Sequence, residues 1–240
     1  MPSTHAFSEK VALVTAGTTP VGRAVAMQLA LFGAFVVIAH PENDPAVSDI
    51  EELKALGTLA ASAPFSKYGS EGAKEITRCV DELYGRLDLL VNCATVPGTS
   101  GFQATSESRF EEVSEILLES TFFITKESVR LMSDRPKPKI VNVFWACDGD
   151  ESKSDVAARV VNAAMEEFTK ALTEDLPGKF RINGVRVSDA GDADRRTEDL
   201  DPELFRRGKG VDPDDVARSV LFLLSSEATG LAGEILNITQ

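Results

Sequence analysis

The chain has 240 residues, 43% of them hydrophobic and 26% charged, with 25 Lys and Arg against 38 Asp and Glu for a formal charge of −13. This size and composition predict one domain, residues 1–240, with a full core, and the acidity excludes nucleic acid and anionic membrane surfaces as favoured partners, because both repel it. Three cysteines far apart, two histidines and no CxxC pair predict a reducing, cytoplasmic setting with no disulfide framework and no metal site.

The first residues lack the basic-then-apolar pattern of a leader and lead directly into a strand. Short apolar runs at 11–15, 34–39, 87–92, 139–145, 181–187 and 234–238 predict strands, with a weaker one near 58–61. The runs at 87–92 and 139–145 are apolar at successive positions, as in strands covered on both faces. Amphipathic stretches at 21–32, 49–56, 72–84, 108–132, 155–176 and 214–225 predict helices between them. No run of about 18 apolar residues is present to span a bilayer. The alternation predicts an α/β fold, a doubly wound parallel sheet with helices on both faces. The segment 189–210, dense in both charge signs, reads as a solvated loop or a flap over a pocket.

The turn after the first strand reads Thr15-Ala16-Gly17-Thr18-Thr19-Pro20-Val21-Gly22. Later come Leu89-Leu90-Val91-Asn92-Cys93-Ala94-Thr95, Lys139-Ile140-Val141-Asn142-Val143 and Gly233-Glu234-Ile235-Leu236-Asn237. In this order the segments resemble the short-chain dehydrogenase/reductase family over about the whole chain. The resemblance implies a nicotinamide dinucleotide fold of about seven strands. In that family a glycine-rich turn lets the backbone approach a pyrophosphate at a helix N-terminus. Here Ala16 and Pro20 take two of the glycine positions, Gly22 matches the third, and Gly17 is displaced by one. Gly17, Thr18, Gly22 and Asn92 are therefore the cofactor-binding candidates, as vestiges of that cradle. The position at the end of the second strand, where an acid would hold a ribose, carries His40, read as an exposed strand-end residue; Glu42 follows two residues later.

The family's proton chemistry runs on an Asn, a Ser, a Tyr and a Lys. Aligned on this chain those positions read Leu117, Trp145, Ala158 and Asn162, and no Tyr occurs after Tyr84. Reduction of a carbonyl needs a proton donor of tuned pKa within hydrogen-bond reach, which these four do not supply. The leading expectation is therefore a non-catalytic subunit with no cofactor, supporting an active short-chain dehydrogenase, such as a two-subunit hydroxyacyl-CoA dehydrogenase. The partner would be that active subunit or a second copy, in a family-like tetramer, met through helices 108–132 and 155–176. NAD or NADP binding is the weaker expectation. Two alternatives stand beside it. One is an NAD(P)-dependent oxidoreductase with a non-standard proton relay drawn from Asp148 or Glu151. The other is a nucleotide-sensing module. A cleft plugged by Pro20, Thr95 and Trp145 would favour the inert reading.

Overall fold

The computed structural model describes residues 6–44, 47–55, 57, 59–96, 101–146, 156–176, 178–188 and 211–239. Seven strands form one parallel sheet: β1 (Val11–Thr15), β2 (Phe35–Pro41), β3 (Ala60–Phe65), β4 (Leu89–Asn92), β5 (Lys139–Ala146), β6 (Arg181–Ser188) and β7 (Ile235–Thr239). Their spatial order is β3-β2-β1-β4-β5-β6-β7. The direction of winding reverses between β1 and β4, the point at which such sheets open a crevice beyond the carboxyl ends of their strands.

Side chains alternate between faces along each strand, and the two faces build two cores. Ala12, Val14, Val36, Ile38, Leu89, Val91, Val141, Val143, Val185 and Val187 pack on α1 (Pro20–Leu31), α2 (Val47–Ala55) and α7 (Pro213–Leu224). Val11, Leu13, Val37, Leu90, Ile140 and Ile182 pack on α3 (Gly69–Tyr84) and α5 (Ser120–Met132). The end of α6 (Val156–Asp175) closes this second layer, with Leu172 packed against it. The doubly wound prediction is thus the observed architecture, and the strands begin and end within a few residues of the predicted limits.

One predicted helix is not continuous. The stretch 108–132 divides into α4 (Glu107–Val113), a π-helical segment Ser114–Glu119, and α5. Its cause is local: the Ser120 hydroxyl donates to the Glu115 carbonyl at 2.8 Å and accepts the Gly69 N–H at 2.8 Å. The widened turn is tied in this way to the start of α3. Apolar periodicity carries straight through the interruption, so the sequence pattern did not reveal it. Insertions of this kind concentrate at functional sites.

At the amino-terminal edge of the sheet, Asp88 is 2% exposed. It accepts the Val11 N–H at 3.1 Å and the Arg135 Nε at 2.9 Å, with Lys10 Nζ at 3.4 Å and Arg86 Nε at 3.7 Å. Burial raises its pKa, but the Val11 amide, Arg135 and Lys10 outweigh that and hold the carboxyl below the ordinary range. Nearby, Lys139 opens β5 and donates to the carbonyls of Leu224, at 2.8 Å, and Ser225, satisfying the C-terminus of α7. Burial, with Lys137, Lys10 and Arg181 close by, pushes its ammonium down to about 8.

Candidate functional site

A cleft with an interior of about 110 Å³ opens beyond the carboxyl ends of β1, β2, β3 and β4. This is the crevice at the reversal of winding, where open α/β sheets place their ligands. Thr15 Oγ1, at the end of β1, accepts the N–H of Cys93 at 3.0 Å and holds the two diverging strand ends together.

The turn into α1 keeps the shape of a glycine turn with fewer glycines. Ala16 has φ of 48°, the left-handed region that glycine adopts freely. Gly22 permits a close approach, because a Cβ there would lie 2.2 Å from the Ala16 carbonyl oxygen. A Cβ on Gly17 would meet Ile38 Cγ2 at 2.5 Å. Thr19 caps α1: its hydroxyl accepts the Gly22 N–H at 3.2 Å and donates to the Ala16 carbonyl at 2.7 Å. Pro20 follows at the first helical position, where its missing N–H costs nothing. The Thr19 hydroxyl is thus engaged in the turn itself, while Thr18 Oγ1 donates outward to Asp44 at 3.0 Å.

The cleft is open, not plugged. Pro20 is exposed and Trp145 is half-buried, packed with Val141 and Val143 against the α1–α7 core; neither lines the cleft. Of the three residues expected to fill it, Thr95 alone forms part of the wall. His40, expected at the surface, is 3% exposed, with its ring between the Pro41 carbonyl at 2.8 Å and the Ser62 hydroxyl at 2.5 Å. Its place on the wall is taken by Pro41 and Asp44. Asp44 was missed because it reaches the rim only after the chain turns, with its N–H donating to the Pro41 carbonyl at 3.0 Å.

Tyr68 stands on the opposite wall with its ring edge-on to Phe65, centroids 5.2 Å apart. Burial raises its pKa, and Asp44, Glu112 and Glu115 add to the shift. Asn92 lies beneath the cleft as the first rung of a buried polar ladder. Its Nδ2 donates to Asn142 Oδ1 at 2.9 Å and Thr125 Oγ1 at 3.2 Å, and Asn142 Nδ2 donates to Thr169 Oγ1 at 2.9 Å. Asn92 therefore ties β4 to β5, α5 and α6 instead of lining the cleft.

The four positions aligned with the family's proton relay do not form one polar group. Leu117, in the π-helical segment, is 6% exposed and packs with Val113, Ala157 and Val161. Ala158, Ala94 and Val96 border that cluster. Asn162 is half-buried on α6. Among the described residues no three His, Cys, Asp or Glu are grouped to hold a metal ion. The segments 147–155 and 189–210, which contain Asp148, Glu151 and the expected flap, lie outside the described residues.

Residues 10–190 match the model of the short chain dehydrogenase family. The chain belongs to that family. It is 28% identical over 236 residues to a 3-oxoacyl-[acyl-carrier-protein] reductase, FabG, of Aquifex aeolicus, covering 95% of each chain. It is 30% identical over 236 residues to carbonyl reductase [NADPH] 2 of Sus scrofa, covering 95% of this chain and 93% of that one. The fold matches L-sorbose reductase of Gluconobacter frateurii, solved with NADPH and L-sorbose, at a TM-score of 0.85 and 19% identity, over 98% of this chain and 97% of that one.

These relatives overturn the expectation of a non-catalytic subunit. Proteins that align with nearly the whole chain are named as reductases, and the match runs through the cleft and both cores. The expectation failed because substitutions at Leu117, Trp145, Ala158 and Asn162 remove one proton relay. They leave in place the cleft, the turn and the sheet that a hydride-transferring member of the family is built on. The expectation of no cofactor loses its support for the same reason. Among the described residues no helix is long and apolar enough to cross a membrane.

Proposed function

We propose that this chain is an NAD(P)-dependent oxidoreductase that interconverts a carbonyl and an alcohol, with a proton relay other than the family's Tyr and Lys. The observation that carries this reading is the open cleft at the β1–β4 reversal, in a chain whose full-length relatives are named reductases. The residues present fit a dinucleotide. Ala16 holds the left-handed turn, Gly22 gives the turn room against the Ala16 carbonyl, and the cleft opens at the strand ends where that turn lies. Thr18, Thr95 and the turn into α1 would hold the phosphates, and Tyr68 would border the base. The nicotinamide, when bound, supplies or accepts the hydride.

The chain's own part is to bind, orient and exclude water. Leu117 is buried in an apolar cluster bordered by Ala158, Ala94 and Val96 in the region where the family keeps its relay, and low-polarity surroundings of this kind strengthen any charge interaction made beside them. The proton donor is then assigned to the acidic segment after β5, with Asp148 and Glu151 as the candidates. The setting is cytoplasmic, in keeping with the cysteine usage. The chain associates with itself through α5 and α6. Phe122 is 43% and Val160 55% exposed there, and the Phe122 ring lies 5.5 Å from that of Phe168.

Steady-state turnover tests the proposal, using NADH or NADPH with a panel of 3-oxoacyl thioesters, small ketones and ketoses. The purified chain turns over at least one member, and D148N or E151Q lowers kcat by about a hundredfold, the usual weight of a general acid. No turnover across the panel with either cofactor contradicts the proposal. Light scattering on the pure chain tests self-association; a monomer at micromolar concentration contradicts that part alone.

A further inference from the structure

The amino-terminal edge of the sheet, opposite the cleft, carries a row of cations. Lys10 precedes β1, Lys139 opens β5 and Arg181 opens β6, and the register pairs Leu89 of β4 with Lys139 and Lys139 with Arg181. Lys137 and Lys179 stand exposed two residues before those openings, and Arg86 and Arg135 flank Asp88. These seven cations share one carboxylate, the buried Asp88, which meets Lys10, Arg86 and Arg135. The rest end on neutral groups. Lys139 Nζ donates to the Leu224 and Ser225 carbonyls, Lys179 Nζ to the Ser133 carbonyl, and Arg181 Nε to the Thr229 carbonyl at 2.9 Å. Among the described residues no carboxylate pairs with Lys137, Lys139, Lys179 or Arg181, although Glu9 and Asp134 adjoin the row in sequence. The charges that act on Lys139 are Lys137, Lys10 and Arg181, all of its own sign.

We propose that this edge docks a short acidic segment of a partner protein, with its carboxylates laid across the row from Lys10 to Lys179. A carbonyl satisfies an ammonium's hydrogen bond without cancelling its charge, so the edge keeps a positive field. That field stands out in a chain whose net charge is −13, and a complementary acidic surface is what it attracts and orients. The size of the row sets the partner. Four neighbouring strands about 4.8 Å apart span roughly 14 Å, the length of about four extended residues. A nucleic acid, with a charge about every 1.7 Å of duplex, runs past such a row onto the acidic remainder of the surface. A short run of Glu or Asp ends within it. The site lies at the strand ends away from the cleft, so the inference is independent of the dinucleotide reading.

Fluorescence anisotropy of a labelled hexaglutamate peptide, titrated with the full chain at about 20 mM salt, tests this directly. The wild type binds the peptide saturably, and salt of about 0.5 M removes the binding. K137E/K179E, reversing two exposed charges, weakens it about tenfold or more. K137Q/K179Q, which only removes them, weakens it about threefold and serves if the reversal disturbs folding. K74E, the same reversal at an exposed position on α3, leaves the affinity within about twofold. Absence of peptide binding by the wild type at low salt overturns the inference. So does equal affinity in a folded K137E/K179E or K137Q/K179Q, and so does tighter binding of a single-stranded oligonucleotide carrying the same charge.

Discussion

Gly22→Ala is the sharpest perturbation of the cofactor turn. A Cβ there would sit 2.2 Å from the Ala16 carbonyl oxygen, 2.8 Å from the Ala16 carbonyl carbon and 2.9 Å from Gly17 Cα. All three are backbone atoms, so no rotamer change relieves the contact. Ordinary separations of roughly 3.5 Å require the turn and α1 to part by about 1 Å. Overpacking of this kind costs about 1–3 kcal/mol, and the rigid backbone puts this case at the upper end. Alanine in a helix returns up to about 1 kcal/mol relative to glycine. The net loss is about 2 kcal/mol, which for a chain of this size lowers Tm by roughly 4–8 °C. Circular dichroism melts of G22A against wild type measure it, and NADH titration reports the turn itself, where affinity should fall. Gly101→Ala is the control, since nothing lies within 4 Å of its Cβ position. A G22A protein that melts and binds like the wild type would refute the close approach and the cradle with it.

Three further outcomes follow from the same geometry. Ala16→Gly removes a left-handed strain of about 1–2 kcal/mol and adds about 0.5–1 kcal/mol of unfolded-chain entropy; urea denaturation should show a gain of up to about 1 kcal/mol, and a clear loss would contradict the φ of 48°. Asp88→Ala leaves the buried Val11 amide without its acceptor and three partly exposed cations without their shared partner, and should cost about 1–3 kcal/mol. Because the native carboxyl is held below its unfolded pKa, its contribution is complete above about pH 4 and is lost as pH falls through the native value. The stability gap between wild type and D88A should therefore narrow in acid; a gap constant down to pH 2 contradicts the ion cluster. Leu117→Asn places an amide among Val113, Ala157 and Val161 and should destabilise by about 2–4 kcal/mol; an unchanged urea midpoint would show that the position is polar after all.

The architecture was legible because each strand is a short apolar run and each helix carries one apolar face, and those two periods fix the layers. β3 was faint in the sequence: its run Ala60-Ala61-Ser62-Ala63-Pro64-Phe65 is poor in branched residues, and its pairing with β2 supplies what its composition lacks. The π-helical segment was invisible because its cause is a side-chain hydrogen bond at Ser120. At the site, the close backbone approach expected of Gly22 is present, against the Ala16 carbonyl, while its part in holding a cofactor belongs to the proposal. Asn92 was read as a cofactor residue from its place at the end of β4, and the tertiary structure adds what that place does not reveal, its Nδ2 bonds to Asn142 and Thr125. Asp44 was hidden by its distance from the end of β2, which only the tertiary turn closes. The substituted relay positions were read as loss of function because a sequence shows which groups are gone from a site, while the cleft around them is a tertiary feature.

Transfer of deuterium tests the central claim most directly. The purified chain is incubated with the nicotinamide cofactor deuterated at C4 and a carbonyl substrate from the panel, and the alcohol is weighed by mass spectrometry. One deuterium on the carbinol carbon, formed repeatedly per protein molecule, is the result this structure predicts. Unlabelled or absent alcohol, from a chain shown to be folded, would mean that the cleft does not carry a hydride from cofactor to substrate.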